Sequence, residues 1–157
     1  MADRDLIPAR RVIVGADAAG ASMVVSDAET AETALENGIV IQEIWQQRTL
    51  PAEVDSLPPV EWSLGPASPA EGAVVRILTV PAGHGGGAPA MHSDPSLHVI
   101  TMIDGVLDVY LDAGPVTLRA GESIVLRDSR HDLANPRPAA ARFVYTSFPL
   151  TGGPSSQ

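Results

Sequence analysis

Cysteine is absent from the 157 residues, and histidine occurs only four times. Without cysteine there is no disulfide framework and no thiolate metal site, which fits a reducing cytoplasm. Basic residues are scarce as well. Ten Lys and Arg stand against 19 Asp and Glu, a net charge of −9. Such a balance repels a phosphate backbone and anionic lipid, so nucleic acid and membrane surfaces are excluded as partners. No run approaches the ~18 apolar residues of a membrane span. The opening MADRDLIPARRV has no apolar h-region, so no signal peptide is expected and a cytoplasmic protein is. What the chain has in quantity is punctuation: 14 Gly and 14 Pro between short apolar runs, the composition of many turns rather than long helices. Its length suits one domain with a real core.

The runs read as strands. RVIV (11–14) and SMVV (22–25) bracket GADAAG and predict an N-terminal hairpin. DAETAETALENG (27–38), with Asp27 as cap and Gly38 as stop, predicts a short helix or a loop. IVIQEIW (39–45) alternates as a strand does, and the Pro-rich stretch 47–72 reads as an irregular wrap. From residue 73 strands arrive about every ten residues: AVVRILTV, HVITMI, VLDVYL, VTLRA, SIVLR and ARFVYTSF. Asp104-Gly105 between HVITMI and VLDVYL predicts a hairpin. This rhythm predicts an all-β, antiparallel sandwich or barrel. Residues 1–72 form an arm and wrap, 73–148 the core barrel, and 149–157 a flexible tail.

Two histidines flank a proline in MHSDPSLHVITMIDG (91–105). On one straight strand His92 and His98 would stand roughly 20 Å apart, too far to share an ion. Asp94-Pro95-Ser96 is turn chemistry, however, and Pro does not sit in a central strand. A reversal there would end one strand at His92 and open its antiparallel neighbour at His98, with paired residues about 5 Å apart. His131 follows another turn, Asp128-Ser129-Arg130, so three imidazoles have a route to one barrel mouth.

His92 with Gly105 thirteen positions on, AGES (120–123) before a strand, and HDLAN (131–135) resemble the two-part signature of the cupins over about residues 73–148. RRVIVGADAAG and EIWQQRTLPAE resemble the N-terminal arms of small single-domain bacterial cupins. The resemblance implies a cupin-type barrel or jelly roll with an N-terminal hairpin arm, binding one divalent metal. It departs from the usual pattern in four places. Asp94 fills a slot usually held by His, and His98 fills the Glu slot. Leu126 and Asp128 replace a Pro and a Gly. The metal positions it implies are His92, His98 and His131, with Asp94 as a possible fourth ligand or a general base. Imidazole ligands suit zinc, iron, manganese or nickel alike.

Alternation places His98, Ile100 and Met102 on one face, predicting a largely apolar pocket around the ion. Arg76 either faces inward, needing an anionic partner, or faces solvent. Trp45 is a core residue or a substrate platform, and Tyr145 a proton donor or a substrate clamp. His84, in PAGHGGGAPA, is a lid base or an exposed loop-tip residue. The function expected is a metal-dependent cupin enzyme acting on a small organic metabolite by non-redox lyase, isomerase or cyclase chemistry. The alternatives are an iron(II) dioxygenase or a non-catalytic small-molecule binder. A homodimer is expected, the N-terminal hairpin lending a strand to its neighbour.

Overall fold

Short β-branched runs between turns satisfy their backbone groups by pairing with one another. A computed structural model describes residues 8–52 and 68–151, and among these residues there is no helix. In chain order the strands are β1 (Arg10–Ala16), β2 (Ser22–Glu29), β3 (Glu32–Ala34), β4 (Val40–Gln47), β5 (Ala73–Val80), β6 (Ser96–Asp104), β7 (Val106–Leu111), β8 (Gly114–Arg119), β9 (Ser123–Arg127), β10 (Asp132–Ala134) and β11 (Ala141–Pro149). All pairings are antiparallel. A six-stranded sheet has the order β3-β4-β5-β11-β6-β9, a three-stranded sheet the order β10-β7-β8, and β1-β2 stand as a ribbon.

The two larger sheets share one core. Ile41, Val80, Ile100, Met102, Leu126 and Phe143 from the first meet Leu107, Val109 and Leu118 from the second. The expected period of two is clearest in β6. Ser96, His98, Ile100 and Met102 are buried, whereas Leu97, Val99 and Thr101 are half-buried and Ile103 is exposed.

The N-terminal hairpin forms as expected, with Val14 opposite Val24 and a bulge after Ile13. Arg11 ties it to the barrel, its Nη1 donating to the carbonyls of Glu43 and Ile44 at 3.4 and 3.5 Å. The helix alternative for residues 27–38 does not occur. β2 runs on to Glu29, and β3 pairs with β4 through a turn closed by Leu35 N–H on Ile39 O at 2.8 Å. An apolar face made mostly of alanine buries too little to hold a helix, whereas pairing with β4 satisfies the backbone directly. The main sheet also begins earlier than residue 73, since β4 pairs along β5. Of the stretch 47–72, residues 53–67 lie outside the described residues, as do 152–157 of the tail.

Asp104-Gly105 is a corner and not a hairpin. β6 pairs with β11 and β9, while β7 pairs with β10 and β8, so the chain changes sheets between them. Gly105 makes this corner possible. Its φ is +77°, and a Cβ there would lie 2.5 Å from Ala140 O. Gly105→Ala is expected to lower stability by about 2–4 kcal/mol, combining left-handed strain with a backbone clash. Gly83→Ala, at φ +74° with nothing within 4 Å, is the control, expected to lose only about 1 kcal/mol. Urea unfolding of both variants measures the difference, and equal losses would refute the corner argument.

Candidate functional site

The interval between His92 and His98 is bent, as its turn residues require. Ser96 N–H donates to Asp94 O at 2.8 Å. His98 then enters β6 facing inward, opposite Ser147 on β11 and Leu126 on β9. His92 is not its ladder partner, which corrects the pairing expected from the sequence. Both edges of β6 are already taken at His98, so the backbone of His92 pairs elsewhere. It bridges His131 through two hydrogen bonds of 3.0 and 2.9 Å. The rings still gather. His131 lies 4.6 Å from His92 and 5.5 Å from His98 between ring centroids. His98 and His131 are buried and His92 is exposed at the rim. Asp128, which stands where the resemblance calls for glycine, keeps a left-handed backbone at φ +44°. Aspartate tolerates that region better than most residues.

Hydrogen bonds orient two of the rings. His131 Nδ1 is 2.7 Å from Ser129 O. A carbonyl only accepts, so neutral His131 carries its proton on Nδ1 and presents a lone pair at Nε2. His98 is met on both sides, by Tyr145 Oη 2.7 Å from Nδ1 and by Asp94 Oδ1 2.9 Å from Nε2. Ser68 Oγ donates to Asp94 Oδ2 at 2.8 Å, accepts from Ser147 Oγ at 3.2 Å and lies 3.3 Å from Tyr145 Oη. Asp94 Oδ1 is buried yet has no in-line donor, although His98 Nε2 is close enough for an ion pair. Burial pushes the His98 imidazole below its ordinary pKa. Asp94 opposes this, and the neighbouring His131 and His92 add to it. Burial likewise pushes the Tyr145 phenol up, against hydrogen bonding with Ser68 and Ser147. At neutral pH the buried ring is therefore uncharged and the phenol protonated.

The donor types are those a divalent cation takes. Two imidazoles have Nδ1 tied to an oxygen, which is how ligand histidines are oriented, and a buried carboxylate oxygen next to them lacks a donor. As the side chains stand, no group of three or more His, Asp or Glu among the described residues is closed round one point.

The remaining expectations divide. Ile100 and Met102 line the inner face with His98. Arg76 faces inward, 1% exposed, with its Nε 2.8 Å from Glu43 Oε1. It sits in one cross-sheet row with Glu43, Tyr145 and Ile100. Trp45 does not join them. A bulge between Glu43 and Trp45 puts Trp45 opposite Val75, on the other face from Arg76. His84 is not on a free lid, because its backbone bridges Asn135, whose N–H reaches His84 O at 2.9 Å. Asn135 is in turn fixed by bonds from its side-chain amide to Val80, Pro81 and Ala139 carbonyls. Sequence reasoning missed Ser68, Ser147 and Glu43. For Glu43 the signal existed, since an inward Arg76 needs an anion and IVIQEIW alternates.

The pH dependence follows from His98. Its pKa is lowered in the folded chain, so the unfolded chain binds the proton more readily. The stabilising contribution is complete above about pH 6.5 and is lost as pH falls below it. In protein stripped with EDTA, His98→Asn is expected to flatten the decline in urea midpoint between about pH 7.5 and 5.5. An equally steep decline in parent and variant would refute this assignment.

No protein-family model and no curated protein sequence matches the chain. Solved structures do. The cupin domain of Cnp3 from Schizosaccharomyces pombe matches with a TM-score of 0.54 and 12% identity, over 90% of this chain and 88% of that one. An RmlC-like cupin from Shewanella frigidimarina matches with a TM-score of 0.53 and 14% identity, over 78% and 86% respectively. A putative ethanolamine utilization protein Q from Salmonella typhimurium matches with a TM-score of 0.52 and 11% identity, over 92% and 98%. Identities this low speak for fold alone, and the fold of this chain is the small β-barrel of the cupins.

Proposed function

We propose that this chain is a metal-dependent cupin enzyme acting on a small organic metabolite by non-redox chemistry of the lyase, isomerase or cyclase kind. One observation carries the reading. Asp94 Oδ1 and His98 Nε2 face each other across 2.9 Å, away from the axis of a ring N–H bond. Two such atoms are stable together only with a proton or a cation between them. His92, His98 and His131 would hold the ion with Asp94 as oxygen ligand, and zinc, iron, manganese and nickel all accept such a set. His92, exposed at the rim with its ring 4.6 Å from that of His131, would complete it. A bound ion supplies Lewis acidity at a substrate oxygen.

The other roles belong to the chain itself. Tyr145, kept protonated by burial, holds a proton at Oη immediately behind His98. Ile100 and Met102 form an apolar wall that excludes water and suits a substrate of low charge. Arg76, buried and paired with Glu43, is a fixed positive group beside Tyr145. A homodimer belongs to the same reading, because Val12, Val14, Met23, Val24 and Val25 of the N-terminal ribbon are exposed. Light scattering is expected to give twice the chain mass, and a monomer would remove the dimer from the reading.

Elemental analysis of freshly purified protein is expected to find one divalent ion per chain. His131→Ala should weaken zinc uptake at least about tenfold. Stripped protein that takes up neither zinc, manganese, iron nor nickel would refute the reading. Turnover that stops without dioxygen would move it to an iron(II) dioxygenase.

A further inference from the structure

The turn that joins β3 to β4 holds a reactive dipeptide. Asn37 and Gly38 stand at its tip, both exposed. An asparagine amide is open to attack at Cγ by the backbone nitrogen of the next residue. Glycine obstructs that attack least, because it carries no Cβ. The chain has two asparagines in all. Asn135 precedes Pro136, whose nitrogen has no proton to lose, so the same ring cannot close there. Asn37 is therefore the one asparagine at which it can.

The folded turn opposes the reaction. Gly38 N–H, the group that has to give up its proton and attack, donates to Leu35 O at 2.9 Å. Asn37 Oδ1 accepts from Ile39 N–H at 3.2 Å, which holds the side chain in place. Gly38 takes φ +84°, the left-handed backbone that the turn needs at this point. Behind the turn, Gln42 Nε2 donates to Glu32 Oε1 at 2.6 Å. That bond helps to fasten β3, a three-residue strand at the edge of the sheet, to β4.

We propose that Asn37 is a latent deamidation site, shut while the β3–β4 turn is closed and open when β3 lifts from the sheet edge. On opening, the Gly38 nitrogen loses its proton and bonds to Asn37 Cγ. The bond from Cγ to the amide nitrogen breaks, and ammonia leaves with that proton. Water then opens the five-membered ring on either side, giving aspartate or isoaspartate. Isoaspartate routes the backbone through Cβ and Cγ, so the hydrogen bonds of the turn lose their spacing and β3 loses its anchor. No metal takes part.

The test uses the full chain, incubated in mildly alkaline buffer with and without urea. Glu-C protease then releases residues 37–43, NGIVIQE, whose mass reports loss of the amide. The folded chain is expected to convert about tenfold to a hundredfold more slowly than the chain in urea, since two hydrogen bonds have to break first. Glu32→Ala frees the edge strand without touching the turn and should raise the folded-state rate about threefold to tenfold. The peptide that carries Asn135 is the control and should keep its amide. Equal rates in the folded and unfolded chain, or no conversion in urea, would overturn the site. A Glu32→Ala rate equal to the parent's would overturn the lifting of β3 as its gate.

Discussion

A polar side chain on the inner face of a small barrel has to be answered by another polar group, because water reaches it poorly and the core offers no substitute. In this chain the inner face carries Glu43, Arg76, His98, Asp108, His131, Tyr145 and Ser147. Nearly every one is met. Arg76 has Glu43, Asp108 has Thr117 and Arg137, and His131 has the Ser129 carbonyl. At the mouth Asp94 Oδ1 faces His98 Nε2 across 2.9 Å. Other buried polar atoms, Thr30 Oγ1 and Glu43 Oε2 among them, also lack a hydrogen-bond partner, so what sets the mouth apart is the gathering of three imidazoles beside Asp94.

The fold delivers this arrangement through two sheets that contribute different parts. The large sheet brings His98, Tyr145, Ser147 and Arg76 into adjacent cross-strand rows, through the registers of β5, β6 and β11. His131 arrives from the loop before β10, beside the smaller sheet, and is locked to His92 by a two-bond bridge. Gly105 lets the chain pass between the sheets at a corner no other residue could occupy without strain. Asn135, fully buried, fixes the far end of the His131 strand. The rings therefore meet because the bridged His92–His131 pair and β6 converge from different parts of the fold, rather than because one hairpin carries them.

Much of the strand pattern was legible from residue spacing. AVVRILTV and ARFVYTSF lie within or along β5 and β11, and the alternation of His98, Ile100 and Met102 is borne out by their burial. The errors share a cause, which is that they concern partners. Asp104-Gly105 has the composition of a hairpin turn, but whether the two strands bond to each other depends on which edges other strands have already taken. Trp45 moved to the opposite face because of one extra residue at a bulge, and a sequence window gives no mark of it. Ser68 carried no signal in a Pro-rich stretch, since a lone serine acquires meaning only from what stands next to it.

The amino-acid order alone settled the class of structure and the placing of the three histidines near turns. Periodicity, turn chemistry and side-chain type are local properties, and they act within a few residues. Which atoms face one another was decided by the tertiary structure. The His92–His131 bridge, the Arg76–Glu43 pair and the circuit from His98 through Tyr145 and Ser68 to Asp94 join residues far apart along the chain. Contacts of that kind exist only after both sheets have closed on a common core, because loop closure and edge pairing are collective outcomes that no single segment encodes.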